Sequence, residues 1–301
     1  MRIQVIINDR AGTVVGADAE TVADSVGRVL VAAGHDVDVS VVKPEQLERE
    51  LERVVRTLPH AVVVGGGDGT ARFAATVLLG TPTALGVLPL GTVNRLARDL
   101  GMPLDYQAAA QALAAARVRA IDAADVNGRL FLCNAILGLT TSFSRVRQQL
   151  RGKPSAERLR GYLGAVRKLL RSRRRMRIHI SDGSTVVRTR VLSLVVANNA
   201  YAEEPSVAMR RQDLDGGRLA VYASKHNAGW RMAIALLRAL HGTLSDDRDV
   251  VQLTSPRLTV DVPTRRSVSL SIDGEIEELP TPLQFSIRPR ALNVLVPSEN
   301  R

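Results

Sequence analysis

Short apolar runs alternate with longer amphipathic segments over the first third of the chain. "IQVIIN" reads as a strand running into the turn-rich "NDRAGT". Residues 18 to 33 carry a helical pattern, with Gly34 placed to end it. "DVDVSVV" alternates like a strand. "PEQLERELERVVRTL" joins a proline suited to a first turn, early acids and apolar residues at helical spacing. "AVVV" predicts a third strand, "ARFAATVLLG" a helix and "ALGVLPLGT" a fourth strand. "VNRLARDLG" predicts a further helix, closed by Gly101 and Pro103. Alternation of this kind predicts a parallel sheet covered on both faces.

The rhythm changes after about residue 121, and the domain boundary is placed near Ala120 to Asp125. "FLCNAILGL", "MRIHIS", "TVVRTRVLSLVVANN", "RLAVYAS", "VVQLTS", "RLTVDV", "SVSLSID" and "LQFSI" are strand-like, and "SDGS" at 181 to 184 fits a hairpin connection. Two helical stretches, 155 to 172 and 228 to 241, interrupt them. The expected second domain is therefore mainly antiparallel β. There is no internal repeat and no low-complexity linker.

Composition narrows the function classes. The chain has 301 residues, 45% hydrophobic and 24% charged, as expected of a folded globular protein. Aromatics are only 3%, so the core must be aliphatic, and a base-stacking nucleic-acid surface is not expected. The one cysteine, Cys133, rules out an intrachain disulfide and a four-thiolate metal site. "MRIQVIINDR" reads as a strand and not as a signal peptide, and no stretch of ~18 apolar residues suggests a membrane span. A cytoplasmic protein is the expectation.

The net charge of +11 is concentrated: residues 145 to 177 hold 13 Lys or Arg against one acid, Glu157, leaving the rest of the chain near neutral. Within that window Leu159, Tyr162, Leu163, Val166, Leu169 and Leu170 recur at helical spacing, with Arg158, Arg160, Arg167, Lys168 and Arg171 on other faces. Such a segment suits peripheral docking on an anionic membrane, or a solvated basic face.

"AVVVGGGDGT" at 61 to 70 admits three explanations: a tight turn, a phosphate cradle or catalytic machinery. Gly65, Gly66 and Gly67 would let backbone N–H groups approach a phosphate at a helix start, and Gly69 would allow a positive φ. Thr70 could cap the helix or bond a phosphate oxygen. Asp68 is negative, so it suits a metal, a ribose or a hydroxyl better than a phosphate. The loop is neither GxGxxG nor GxxxxGK[ST].

"NDRAG" at 8 to 12, "GGDGT" at 66 to 70, "LPLGTVNRLARDLGMP" at 88 to 103 and "DGEIEELPTPLQFSIRPRALNVLVP" at 273 to 297 follow one another along the chain. Together they resemble the catalytic domain of the diacylglycerol kinase family, which includes bacterial lipid kinases and sphingosine kinases. The resemblance implies an α/β plus β protein. Residues 1–122 would form a three-layer nucleotide-binding α/β domain, with 284–301 returning to it. Residues 123–283 would form a mainly antiparallel β-sandwich substrate domain, with the site in the cleft between the two.

The resemblance also implies roles. Asn8, Gly12, Gly65 to Gly67, Asp68, Gly69, Thr70, Gly91, Thr92 and Asn94 would hold ATP. Glu275 would accept the proton of a lipid hydroxyl, with Asp273 the second choice or its orienting partner and Asp68 nearby. Asp215 and Asp122 would hold Mg²⁺. The implied partner is a lipid substrate at an anionic membrane surface, so the enzyme would be cytoplasmic and peripherally membrane-associated; a homodimer is left open. Three positions depart from the family's pattern: Arg95 stands where Asp follows the Asn, Asp9 replaces a proline, and Gly216 replaces the second Asp of an Asp-Asp-Gly segment. An NAD kinase-like enzyme and a catalytically weak lipid-binding member of the fold are the rival readings. The five histidines are scattered without metal-like spacing.

Overall fold

The computed structural model describes residues 1–12, 18–138, 155–171, 175–203, 210–240 and 247–298. The chain divides into two compact units, Met1–Ala123 with Pro289–Arg301, and Ala124–Arg288.

The first unit is built on four parallel strands, β1 (Arg2–Asn8), β2 (Asp36–Val42), β3 (Ala61–Gly66) and β4 (Ala84–Pro89). They lie in the order β2-β1-β3-β4. The end of the last strand of the chain runs parallel to β4, with Val294 opposite Leu85. Every residue of β3 and β4 is buried, as a sheet covered on both faces requires. The covering helices are α1 (Ala19–Ala32), α2 (Leu47–Val55), α3 (Asp68–Leu78), α4 (Arg95–Asp99) and α5 (Tyr106–Ala114). α1 packs on α5, and α2 on α3. α1 starts where the Asp18 carboxylate accepts the Glu20 N–H, and ends at Gly34, whose φ is +82°. Its buried stripe is Val22, Ala23, Val26 and Leu30. Each large apolar side chain so buried stabilises the fold by about 1.5–3 kcal/mol.

Two helical elements of the first unit differ from the sequence expectation. The helix expected from Pro44 opens as a tight 3₁₀ turn, Pro44–Gln46, before α2. α5 had no expected counterpart. Its sequence, YQAAAQALA, is so rich in alanine that apolar and polar faces barely contrast.

The second unit contains the end of β5 (Arg117–Val126), followed by β6 (Arg129–Phe131), β7 (Asn134–Gly138), β8 (Met176–Ser181), β9 (Val186–Val191), β10 (Ser193–Asn198), β11 (Leu219–Ser224), β12 (Val250–Ser255), β13 (Arg257–Asp261), β14 (Ser267–Ile272), β15 (Glu275–Pro280) and the start of β16 (Leu283–Val296). One antiparallel sheet has the order β12-β11-β10-β7-β14-β15. The other pairs β16, β13, β8 and β9, also antiparallel. Leu194, Val196 and Leu270 of the first sheet share one core with Ile178, Val260 and Phe285 of the second. This is the expected β-sandwich. "TVVRTRVLSLVVANN" is not one strand: the chain leaves β9 at Val191 and enters β10, in the other sheet, at Ser193. Two helices, α6 (Ser155–Arg171) and α7 (Gly229–Leu240), accompany the sandwich. No helix among the described residues is long and apolar enough to cross a membrane.

Candidate active site

In the first unit, three loops leave the carboxyl ends of parallel strands. The chain steps from β1 to β2 on one side, then returns past β1 to β3 on the other, so the topology switches between β1 and β3. Open α/β sheets bind ligands outside the carboxyl ends of the strands at such a switch. Asn8 ends β1, and its Nδ2 donates to Thr70 Oγ1 at 3.3 Å, linking the loop after β1 to the helix after β3. Asn8 Oδ1 accepts the Arg10 N–H and fixes the turn that follows.

The glycines are explained by close approach. A Cβ on Gly65 would lie 3.0 Å from Ile7 Cγ1 and from Leu90 Cδ1. On Gly66 it would lie 2.5 Å from Thr70 Oγ1, and on Gly91 it would run into the Gly67 Cα. Gly12 approaches Thr92, with 3.5 Å from a Cβ to its Oγ1. The loops after β3 and β4 therefore meet backbone to backbone, where a side chain on Gly91 would force them apart, and the loop after β1 comes within ordinary contact distance of Thr92. Strand β3 extends through Gly66, and α3 begins at Asp68. Gly69 sits in the first turn of that helix, so the expected positive φ is corrected: it is helical. Gly67 gives α3 no side-chain cap. The first-turn N–H groups of a helix have no intrahelical acceptor and carry its positive end.

Asp68 has a positioning part. Its Oδ1 accepts the N–H groups of Arg95 at 2.6 Å and Leu96 at 3.3 Å, capping α4 from another helix. Asn94, held at φ 52°, clasps its own loop: Oδ1 accepts the Gly91 N–H, and Nδ2 donates to the carbonyls of Gly91 and Pro89. Thr92 is exposed beside this clasp.

In the second unit, Asp273 and Gly274, with φ 48° and 90°, form a two-residue hairpin that pairs Ile272 with Glu275. The Asp273 carboxylate reaches back across the sheet. Oδ2 accepts the Leu132 N–H at 2.7 Å, and Oδ1 accepts those of Cys133 and Asn134, both at 2.9 Å. The Leu132 carbonyl accepts from Asn198 Nδ2 at 2.9 Å and from Arg211 Nη1 at 2.6 Å. Asn134 Nδ2 donates to Tyr201 Oη at 2.7 Å. Asn198, Arg211 and Asn134 are all buried. Glu275 is half-buried at the start of β15, directly after this anchored turn. The Tyr201 ring lies 5.4 Å from that of Tyr222. Burial pushes the Tyr222 hydroxyl above its ordinary range, against the lowering effect of the Tyr201 N–H bond to it.

The two expected metal ligands differ. Asp122 has no exposed surface, and its Oδ1 accepts the Arg290 N–H at 2.8 Å, where β16 bends with φ 50°. It ties β5 to β16. Asp215 is half-buried beside exposed Gly216, where Asn199 Oδ1 accepts the Arg218 N–H. One histidine joins a polar cluster that sequence spacing does not show. His226, Asp247 and Asp249 bring their ligand atoms within 4.8 Å of one another. His226 Nδ1 bonds Ser224 Oγ at 2.8 Å, and Asp247 Oδ2 lies 3.4 Å from both His226 Nε2 and Arg238 Nη1. His241 and residues 145–154 and 172–174 of the basic stretch lie outside the described residues. A groove of about 480 Å³ along Asp125, Ser181, Arg257 and Ser286 contains none of the site residues expected from sequence.

A family model described as the diacylglycerol kinase catalytic domain matches residues 2–126. A Pseudomonas syringae pv. tomato protein named "Probable lipid kinase YegS-like" is 30% identical over 247 residues, 79% of this chain and 76% of that protein. The chain belongs to the diacylglycerol kinase catalytic-domain family. A Yersinia pestis protein with the same name is 38% identical over 95 residues, 30% of this chain and 32% of that protein. A solved diacylglycerol kinase from Bacillus anthracis str. Sterne matches 99% of this chain and 97% of its own with a TM-score of 0.73; at 18% identity this shows the shared fold.

Two departures of this kinase have local accommodation. Arg95 replaces the family's acid, yet the backbone N–H at this position is what the Asp68 carboxylate grips. Asp9 stands in place of proline and donates its N–H to the Val42 carbonyl, a bond proline could not make. Sequence reading missed Asn198, Arg211 and Tyr201 as supports of the Asp273 hairpin. Their signal was weak: polar residues closing the apolar run "LSLVVANN", and an arginine in a turn-rich segment.

Proposed function

We propose that this kinase transfers the γ-phosphate of ATP, delivered as its Mg²⁺ complex, to the hydroxyl of diacylglycerol or a related lipid. The observation that carries the nucleotide part is the convergence of three glycine loops at the switch between β1 and β3, above the uncapped start of α3. There the first-turn N–H groups suit phosphate oxygens. Asn8, Gly12, Gly66 to Thr70 and Gly91 to Asn94 build the cradle, with Asp68 and Asn94 holding its shape rather than binding phosphate through their own charge.

The base is Glu275. Asp273 has its carboxylate committed to three backbone N–H groups, so it orients the hairpin and leaves Glu275 to accept the lipid hydroxyl's proton. A metal that neutralises phosphate charge supplies electrostatic stabilisation in this class of reaction. Of the two expected ligands, Asp215 retains the accessibility that a hydrated cation needs and Asp122 does not. The acceptor is tested by incubating the purified chain with Mg²⁺, ATP and a bacterial lipid extract, then identifying phosphorylated lipids by mass spectrometry. A phosphorylated diacylglycerol or related lipid is expected. Phosphorylation of NAD in preference to any lipid would overturn the proposal.

A further inference from the structure

α6 and α7 pack against each other, and each leaves an apolar stripe substantially exposed. On α6, Tyr162, Val166 and Leu170 recur every fourth residue, with Leu163 beside them at 59% exposure. Ala165, on the adjoining face, is buried. On α7, Trp230, Ile234 and Leu237 form the outer stripe, 50%, 42% and 57% exposed, while Met232 and Ala235 face inward. Side chains three and four residues apart share a helix face, so these are continuous stripes and not scattered residues. Contiguous exposed apolar surface of this kind marks an interaction site.

The charges say what covers it. Arg160, Arg167 and Arg171 run along the edge of the α6 stripe, and Arg231 stands over the Trp230 ring at 5.3 Å. The two helices together contain one acid, Glu157. A second copy of the chain would set this basic border against itself, which repels. An apolar face bordered by arginines, with a tryptophan at its margin, matches an anionic bilayer: the rings and aliphatic chains enter the headgroup boundary while the guanidinium groups meet lipid phosphates. We infer that the α6–α7 pair is the membrane-docking surface of this kinase, seating on anionic phospholipid with Trp230 at the headgroup level. The inference rests on the lipid-acceptor reading and adds the element that brings the protein to its substrate.

Trp230 is the chain's one tryptophan, so intrinsic fluorescence of the unmodified protein reads this surface directly. The full chain is titrated with phosphatidylcholine vesicles, and with vesicles in which one lipid in three is phosphatidylglycerol. Anionic vesicles should move the Trp230 emission to shorter wavelength, and lipids brominated near the headgroup should quench it; neutral vesicles should bind at least tenfold more weakly, as should anionic vesicles in high salt. Leu237→Glu and, on the other helix, Leu163→Glu should each weaken partitioning about tenfold with unchanged circular dichroism. Emission that ignores anionic vesicles overturns the inference. So does a shift that follows protein concentration without lipid, which would assign the face to self-association. Transfer of phosphate to detergent-dispersed diacylglycerol needs no bilayer. Activity there without vesicle binding sinks the docking surface alone; vesicle binding without activity on any lipid sinks the kinase reading alone.

Discussion

Replacing Asp273 tests whether it positions or reacts. Its two oxygens accept three N–H groups from Leu132, Cys133 and Asn134, residues that are themselves buried. In Asp273→Asn, the amide oxygen can keep the two bonds made by Oδ1, but an NH₂ group would face the Leu132 N–H. One bond to a charged acceptor is lost, which costs about 2 kcal/mol. In Asp273→Ala all three N–H groups lose their acceptor, and alanine must adopt a positive φ that costs about 1 kcal/mol. Because buried donors left unsatisfied cost about 1–3 kcal/mol each but share their relaxation, the total is about 4 kcal/mol. Urea denaturation followed by circular dichroism measures both losses. Hydrogen exchange at Leu132, Cys133 and Asn134 localises them: the amides should exchange faster in Ala than in Asn, and faster in Asn than in wild type. A loss below about 1 kcal/mol for Ala would refute the clamp. An Asn variant that folds and exchanges like wild type but cannot transfer phosphate would refute the division of roles, because Asp273 would then be the base.

Asp68→Ala removes the cap on α4 and should cost about 1–2 kcal/mol, with faster exchange at Arg95 and Leu96 and weaker ATP binding measured by calorimetry. Gly91→Ala drives a Cβ against the Gly67 backbone, so it should destabilise by about 1–3 kcal/mol and weaken ATP binding more than substitution of exposed Thr92. Because burial raises the Tyr222 hydroxyl above its ordinary 10.0, the folded chain keeps a proton that the unfolded chain releases. Stability therefore declines as pH rises past about 10, and Tyr222→Phe should flatten that decline in thermal melts.

The sheet core of the first unit was legible because buried strands such as "AVVV" and bounded helices such as 19–32 obey local periodicities. The glycine loops were legible as a pattern but not as a mechanism. Gly67 and Gly91 need each other across 24 positions, and no local rule sees that contact. Asp68 offered a similar lesson: no local rule shows that its carboxylate holds the start of a helix 27 residues on. The Asp-Gly hairpin was visible as a turn, whereas its grip on residues 132–134 is 140 positions long-range and polar. α7 was seen as helical, but which of its residues would be covered depends on the sandwich beneath it. The bond of buried Asp122 to Arg290 spans 168 positions, so no local pattern shows that this acid joins two strands.

The central claim is transfer of the ATP γ-phosphate to a lipid hydroxyl with Glu275 as base. Its most direct test offers γ-labelled ATP and Mg²⁺ with diacylglycerol and NAD together, to wild type and to Glu275→Gln. Label is expected in the lipid, with little in NAD, and a loss of about 10²–10⁴-fold in the variant with ATP affinity retained. Label accumulating in NAD, or undiminished lipid labelling by Glu275→Gln, would contradict it.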